Sequence, residues 1–370
     1  MKAYKVPMSY NEIDAAGLHA VLDRYSDVSH QKIIVDFEEK LKSLAGAKHA
    51  VALNSGTAAL HLALKLLNTG PGDQVLVSTF TYVASISPII YCGASPVFID
   101  SEPETWNMDP QLLEDALKDL ESRSKRPKAI IVVHAYGMPA KMMEIMAIAE
   151  KWGVPVIEDA AEAFGASINR QWAGTFGQMG IYSFNNNKSV TTFGGGALIT
   201  KNPEWAEKAR KWATHAREDK PYYEHLELGY NYAMGPLNAA YGLLELETWN
   251  AKIARRRQVF EEYRAVLGDQ VKGQLEPPDF KSSRWISAFR LQGKGNIDQL
   301  VDNQDFETRK VWNPMHKQPV FEGRKAYLSG TAEALFKEAV CLPSGEIVAK
   351  DFKQLCLWLQ YACGYKRCCK

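Results

Sequence analysis

The chain has 370 residues, 46% hydrophobic and 24% charged, with Lys+Arg 44 against Asp+Glu 43 for a net charge of +1. This length supports two domains with their own cores, and the even charge balance excludes the basic footprint of a nucleic-acid or acidic-membrane binder. No apolar run approaches the ~20 residues of a membrane span, and MKAYKVPMSYNE at the N-terminus carries no apolar signal segment, so a cytoplasmic protein is expected. The six cysteines show no disulfide framework. Cys363, Cys368 and Cys369 cluster near the C-terminus. With no histidine or CxxC pair beside them, they read as a reduced tail rather than a metal site.

In chain order, Asn11–Arg24 has helical spacing, with Ile13, Leu18, Val21 and Leu22 as its apolar face. Ile33–Leu44 repeats the pattern through Ile34, Phe37, Leu41 and Leu44. A short strand, His49–Leu53, runs into NSGTAALHLALKLL, where a helix begins at once after a small polar turn. The N–H groups of such a helix start, with the hydroxyls of Ser55 or Thr57, suit a phosphate; the same hydroxyls equally suit a helix cap. Gln74–Val77 is a strand, Ala84–Tyr91 a helix and Pro96–Asp100 a strand. Tyr82, just past a strand end, reads either as a ring that stacks on a flat heterocycle or as a core or rim aromatic. Asp109–Leu120 is a helix, Ala129–Val133 a strand ending at His134, and Lys141–Trp152 a helix. Alternating strands and helices predict an α/β fold with a doubly wound, mostly parallel sheet and helices on both faces.

Val154–Ile157 and Gly180–Phe184 read as two more buried parallel strands. The first is followed by Asp159, the second by the polar run to Lys188. Ligands of open α/β sheets bind beyond the carboxyl ends of the strands, so an acid and a lysine reach one rim. A carboxylate aimed at a pyridinium nitrogen and a Schiff-base lysine are what pyridoxal 5'-phosphate (PLP) requires of a protein. Beyond Thr200, Pro203–Ala216 reads as a helix, HAREDKPYYEHLELGYNYAMGPLNAAYGLLELE as a polar loop, a tight turn and a helix, and Ala251–Val266 as an amphipathic helix with Arg255, Arg256 and Arg257 as a solvated face. The composition then shifts to Gly, Pro and charge, and the strand-like WISAFRLQ follows. The change of domain is placed near residue 248, giving a large domain over 1–248 and a smaller α+β domain over 249–370.

SGTAALHLAL, TYVAS, GASPVFID, VIEDAAEAFGA, GTFGQMGIYSFNNNK, the glycine run and GYNY occur in one order along the chain. Together they resemble the DegT/DnrJ/StrS family, PLP-dependent nucleotide-sugar aminotransferases of fold type I. HAREDKPYYEHLELGYNY, SRWIS, ETRKVWNPMHKQPVFEGRKAY and VCLPSG resemble the UDP-N-acetylbacillosamine pathway transaminases. The resemblance implies Lys188 as the Schiff-base lysine and Asp159 as the partner of the pyridinium nitrogen. It implies Gly56, Thr57 and Ser183 at the phosphate, joined by Asn231 from the partner subunit of a homodimer with shared sites. It sets Tyr82 and Ala161 on the two ring faces and Glu162 near the ring hydroxyl. The implied substrates are an amino acid, by family habit glutamate, and a UDP-linked 4-keto-6-deoxy-N-acetylhexosamine aminated at carbon 4. Arg217, Tyr222, His225, Arg309, Trp312 and His316 are the candidates to hold it, with cations for the diphosphate and rings for a base or sugar. Three other readings stand beside this one. A GDP- or dTDP-linked keto sugar is one, a PLP-binding protein without turnover another. The third, a dehydratase with histidine in place of the lysine, is opposed by Lys188. The chain departs from the family pattern at Ala233, Gly235 and Pro236 after GYNY, and at Phe193 within the glycine run.

Overall fold

The computed structural model describes residues 6–362 except 10, 28, 293–296, 302–304, 346 and 348. The cysteines at 363, 368 and 369 lie outside the described residues. A large sheet of eight strands organises the fold. Its spatial order is His49–Leu53, Gly196–Thr200, Met179–Ser183, Val156–Asp159, Ala129–Val133, Gln74–Ser78, Ser95–Ile99 and Ala326–Tyr327. The six from Met179–Ser183 onward pair in parallel, while Gly196–Thr200 is antiparallel to both its neighbours. The sheet is thus mostly parallel, as expected, with an antiparallel edge.

Side chains alternate across this sheet, as a period of two demands. Val75, Val77, Ile131 and Ile157 face a core with the helices Gly56–Leu66 and Pro203–Ala213. Leu76, Ile130, Val132 and Val156 face the opposite core, with Pro110–Ser122 and Met142–Trp152. Because both faces are covered, the central strands read as unbroken apolar runs. Asp109 and Asn202 cap two of these helices with their side chains, and proline stands in the first turn of each.

A second, four-stranded antiparallel sheet contains Val271–Gly273, Ser287–Leu291, Ala339–Leu342 and Arg309–Lys310, in that spatial order. The two sheets are linked by one 32-residue helix, Pro236–Leu267. Its first half lies in a core with Phe37 and Leu41, through Ala239, Ala240 and Leu246. Its second half enters the core of the smaller sheet through Val259, Phe260 and Tyr263. Residue 248 falls inside this helix, and Ala326–Tyr327 returns to the edge of the large sheet.

Several sequence readings are corrected. The helix read as Ala251–Val266 is the second half of Pro236–Leu267; Gly235 and Pro236, unusual by family pattern, are its cap and first residue. The helix read over Ala84–Tyr91 is a 3-10 turn at Val83–Ser85 followed by the short helix Ser87–Tyr91. The first helix starts at Ala15, not Asn11, which leaves Ile13 exposed. The solvated face expected at Arg255–Arg257 fails for Arg256, which is buried and donates to the carbonyls of Trp285 and Ser344. Consecutive helical residues point about 100° apart, so only one of the three can face inward.

Candidate active site

The parallel strands end on one rim, and a cavity of about 650 Å³ opens there. Asp159 ends its strand with the side chain buried. One carboxylate oxygen accepts from the Ser85 hydroxyl at 2.6 Å and the other from the Ala161 amide at 3.1 Å. Ser85 is itself 2.7 Å from the Thr81 hydroxyl, and both sit just past the end of Gln74–Ser78. A carboxylate has about four acceptor positions, so Asp159 keeps capacity toward the cavity that it lines.

Lys188 comes from the loop after Met179–Ser183 and also lines the cavity. Its Nζ donates to Glu162 Oε1 at 3.3 Å and lies over the Trp285 ring, 3.9 Å from the centroid. Glu162 Oε2 accepts from the Tyr136 amide at 2.9 Å. Burial pushes the Glu162 carboxyl up to about 7; Lys188 pulls against that rise and the Asp159 charge adds to it.

The helix Gly56–Leu66 starts at the same cavity. The Ser55 hydroxyl accepts from the Ala58 amide, which makes it the cap. The amides of Gly56 and Thr57 belong to the first turn, where no intrahelical acceptor exists. Gly196 lets the antiparallel strand pass this helix start, since a Cβ there would lie 2.3 Å from the Ser55 carbonyl carbon. Amides at a helix start, a lysine and a carboxylate facing one cavity form a donor set that fits PLP.

Of the residues singled out in the sequence, Gly56, Thr57, Tyr82, Asp159, Ala161, Glu162, Ser183, Lys188, Arg309 and Trp312 all line this cavity. Tyr82 is 61% exposed, so its ring is a rim group rather than a core one. Trp312 stacks on Tyr136, with centroids 4.2 Å apart. Arg309 pairs with Glu307, also on the wall. Asn231 lies outside the wall and is exposed, its main-chain carbonyl accepting from Asn54 Nδ2 at 3.0 Å. Arg217, Tyr222 and His225 belong to an exposed loop, away from the cavity lining. His316 is behind the wall: Nδ1 meets the Thr79 hydroxyl at 2.7 Å and Nε2 meets Glu333 at 3.3 Å.

The sequence reading missed Ser85, Tyr136 and Trp285. Ser85 and Trp285 stood inside quoted motifs, TYVAS and SRWIS, but neither residue type announces a partner. The four-residue spacing of Thr81 and Ser85 after a strand end was the available signal for the first.

A model of the DegT/DnrJ/EryC1/StrS aminotransferase family matches residues 12–356. A Bacillus subtilis (strain 168) protein bearing the name pyridoxal phosphate-dependent aminotransferase EpsN is 42% identical over 86% of this chain and 84% of its own. A UDP-2-acetamido-2-deoxy-3-oxo-D-glucuronate aminotransferase of Pseudomonas aeruginosa is 38% identical, over 86% and 87%. A GDP-perosamine synthase of Caulobacter vibrioides is 36% identical, over 85% of both chains. The crystal structure of a DegT DnrJ EryC1 StrS aminotransferase from Brucella abortus superposes with a TM-score of 0.87 at 26% identity, covering 94% of this chain and 96% of that one.

Proposed function

This chain belongs to the DegT/DnrJ/EryC1/StrS aminotransferase family, and on that premise we propose that it transfers an amino group from L-glutamate to carbon 4 of a UDP-linked 4-keto-6-deoxy-N-acetylhexosamine. At the coarser level it is a PLP-dependent aminotransferase of nucleotide sugars. The observation that carries the reading is that Lys188 and Asp159 line one cavity at the carboxyl rim of the sheet.

When bound, PLP supplies a protonated ring that takes up the electron pair left on a carbon that has lost its proton. Asp159, oriented by Ser85 and the Ala161 amide, would be the carboxylate that pairs with the ring nitrogen. Lys188 Nζ would be the base that takes the proton from the donor carbon and gives it back two bonds away, across the intervening nitrogen. Glu162, beside Nζ and buried, balances the lysine charge when the amine is free. The amides of Gly56 and Thr57, with Ser183, hold the phosphate at the helix start. Ala161 and Tyr82 would flank the cofactor ring, the small alanine leaving room for it and the tyrosine offering an aromatic face. Asn231 completes the phosphate site from the partner subunit of a homodimer, in keeping with its exposure away from its own cavity. Arg309 and Trp312 meet the nucleotide sugar at the mouth, and Arg217, Tyr222 and His225 act from the outer loop. His316 is engaged with Thr79 and Glu333, neither of which lines the cavity.

Two relatives favour rival substrates: one is named for a GDP-linked product and one for a 3-oxo sugar. The deciding experiment compares kcat/KM for the UDP-linked 4-keto sugar with GDP-4-keto-6-deoxymannose and dTDP-linked keto sugars. A preference of about tenfold for either rival, worth about 1.4 kcal/mol, overturns the UDP assignment. Product NMR with the new amine at carbon 3 overturns the regiochemistry alone.

A further inference from the structure

The loop that carries Lys188 has left the sheet, so its main-chain carbonyls need donor partners from elsewhere. They find them in segments remote in sequence. Asn11 Nδ2 donates to the carbonyls of Asn186 at 2.8 Å and Lys188 at 2.9 Å. The Asn187 carbonyl accepts twice, from the Ser9 hydroxyl at 2.7 Å and Trp285 Nε1 at 2.8 Å. Buried Arg256 ties two of these donors together, giving one N–H to Ser9 Oγ at 3.0 Å and one to the Trp285 carbonyl at 2.7 Å. The Trp285 ring in turn lies against Lys188 Nζ. Every carbonyl from Asn186 to Lys188 is thus fixed by side chains of the N-terminal segment or the smaller domain.

We propose that Ser9, Asn11 and Trp285 are positioning residues that set Lys188 through its main chain, so that the N-terminal segment controls the reach of the reacting amine. This rests on the reading of Lys188 as the PLP lysine. The physical case is leverage: a displacement of about 1 Å in a reacting group can cost about a hundredfold in rate, and among the described residues these bonds add to a single turn bond, from the Lys188 amide to the Asn185 carbonyl at 3.0 Å.

The test uses full-length enzyme with PLP. Asn11→Asp keeps the shape but turns a carboxylate toward two carbonyl oxygens. Ser9→Ala removes the hydroxyl, and Ser9→Thr restores it. Asn11→Asp and Ser9→Ala should each lower kcat about tenfold, with KM for donor and sugar within about twofold of the parent. At limiting PLP they should also lower the fraction of Lys188 trapped by borohydride, read by peptide mass spectrometry. Melting of the cofactor-free protein should be unchanged, and Ser9→Thr should behave as the parent. Unchanged kcat and trapping overturn the proposal, as does a loss seen only in melting or in KM. Failure of Ser9→Thr to rescue overturns it as well. If the parent protein traps PLP on another lysine, the assignment of Lys188 falls first and the clamp falls with it.

Discussion

The rim around Lys188 and the loop around Tyr222 differ in how they are held. At the rim, the carboxylates are largely buried and have named partners: Asp159 has Ser85 and Ala161, and Glu162 has Lys188 and the Tyr136 amide. In the loop, Tyr222 is 58% and Tyr223 83% exposed, with only ring contacts to Lys220 and Arg217. Buried, hydrogen-bonded charges act at close to full strength, whereas exposed ones are screened and mobile. On the proposed reading, the cofactor chemistry belongs to the sheet and the sugar preference to surfaces that can change without disturbing it.

The comparison breaks first at its strongest point. Lys188→Ala should lower turnover about a thousandfold or more and abolish the borohydride-stable link to PLP, with the fold intact by circular dichroism. Continued exchange of glutamate and 2-oxoglutarate with a keto sugar at the parent rate would remove Lys188 from the mechanism. Asp159→Asn should retain PLP and lose about a hundredfold in kcat, near the 3 kcal/mol that breaking a buried charge pair costs. An Asp159→Asn enzyme with parent kcat would show that no charge is needed opposite the ring nitrogen.

Asn231 tests whether the rim is complete in one chain. Lys188→Ala and Asn231→Ala proteins, each impaired alone, should regain part of the activity when mixed, because one site of the mixed dimer keeps both residues. A fully active monomer by light scattering excludes the shared site.

Much of the rim was legible because strand ends are marked by composition. His49–Leu53 and Ala129–Val133 were read to the residue, since apolar runs bounded by turn residues leave few alternatives. The long helix was read as two, one ending the stretch to Glu247 and one over Ala251–Val266, because its two halves face different cores and no single apolar stripe runs its length. The burial of Arg256 was hidden because three successive arginines look like solvent-facing charge, and its acceptors are main-chain carbonyls that no side-chain pattern announces. Trp285 was opaque for the same reason: its partners are a carbonyl and a lysine 97 or more residues away. His316, chosen for its residue type, is engaged with Thr79 and Glu333 instead of the cavity.

Glu162 sharpens the comparison through pH. Its carboxyl lies at about 7 in the folded protein against an ordinary 4.5, chiefly through burial. Between those values the folded chain binds a proton that the unfolded chain has released. Stability from this group is therefore full below pH 4.5 and is lost as pH rises toward about 7. Cofactor-free Glu162→Gln, measured by urea unfolding at both ends of that window, should show a flatter loss than the parent. Equal slopes would mean that Glu162 ionises freely beside Lys188.

The smallest effect is expected at the loop. Arg217 and Tyr222 contribute nothing to the wall of the cavity, and their own contacts are solvent-exposed. Exposed charge pairs and ring contacts are worth about 0.2–1 kcal/mol, which is a change of about fivefold or less. Arg217→Ala and Tyr222→Ala should therefore raise KM for the nucleotide sugar a fewfold. Both should leave kcat, KM for the amino donor and the trapped fraction of Lys188 at parent values. Because an exposed arginine acts through screened charge, the Arg217→Ala effect should shrink as salt is raised, while the Tyr222→Ala effect should not. A large fall in kcat from either variant would place the loop inside the reacting site and erase the division between the two regions.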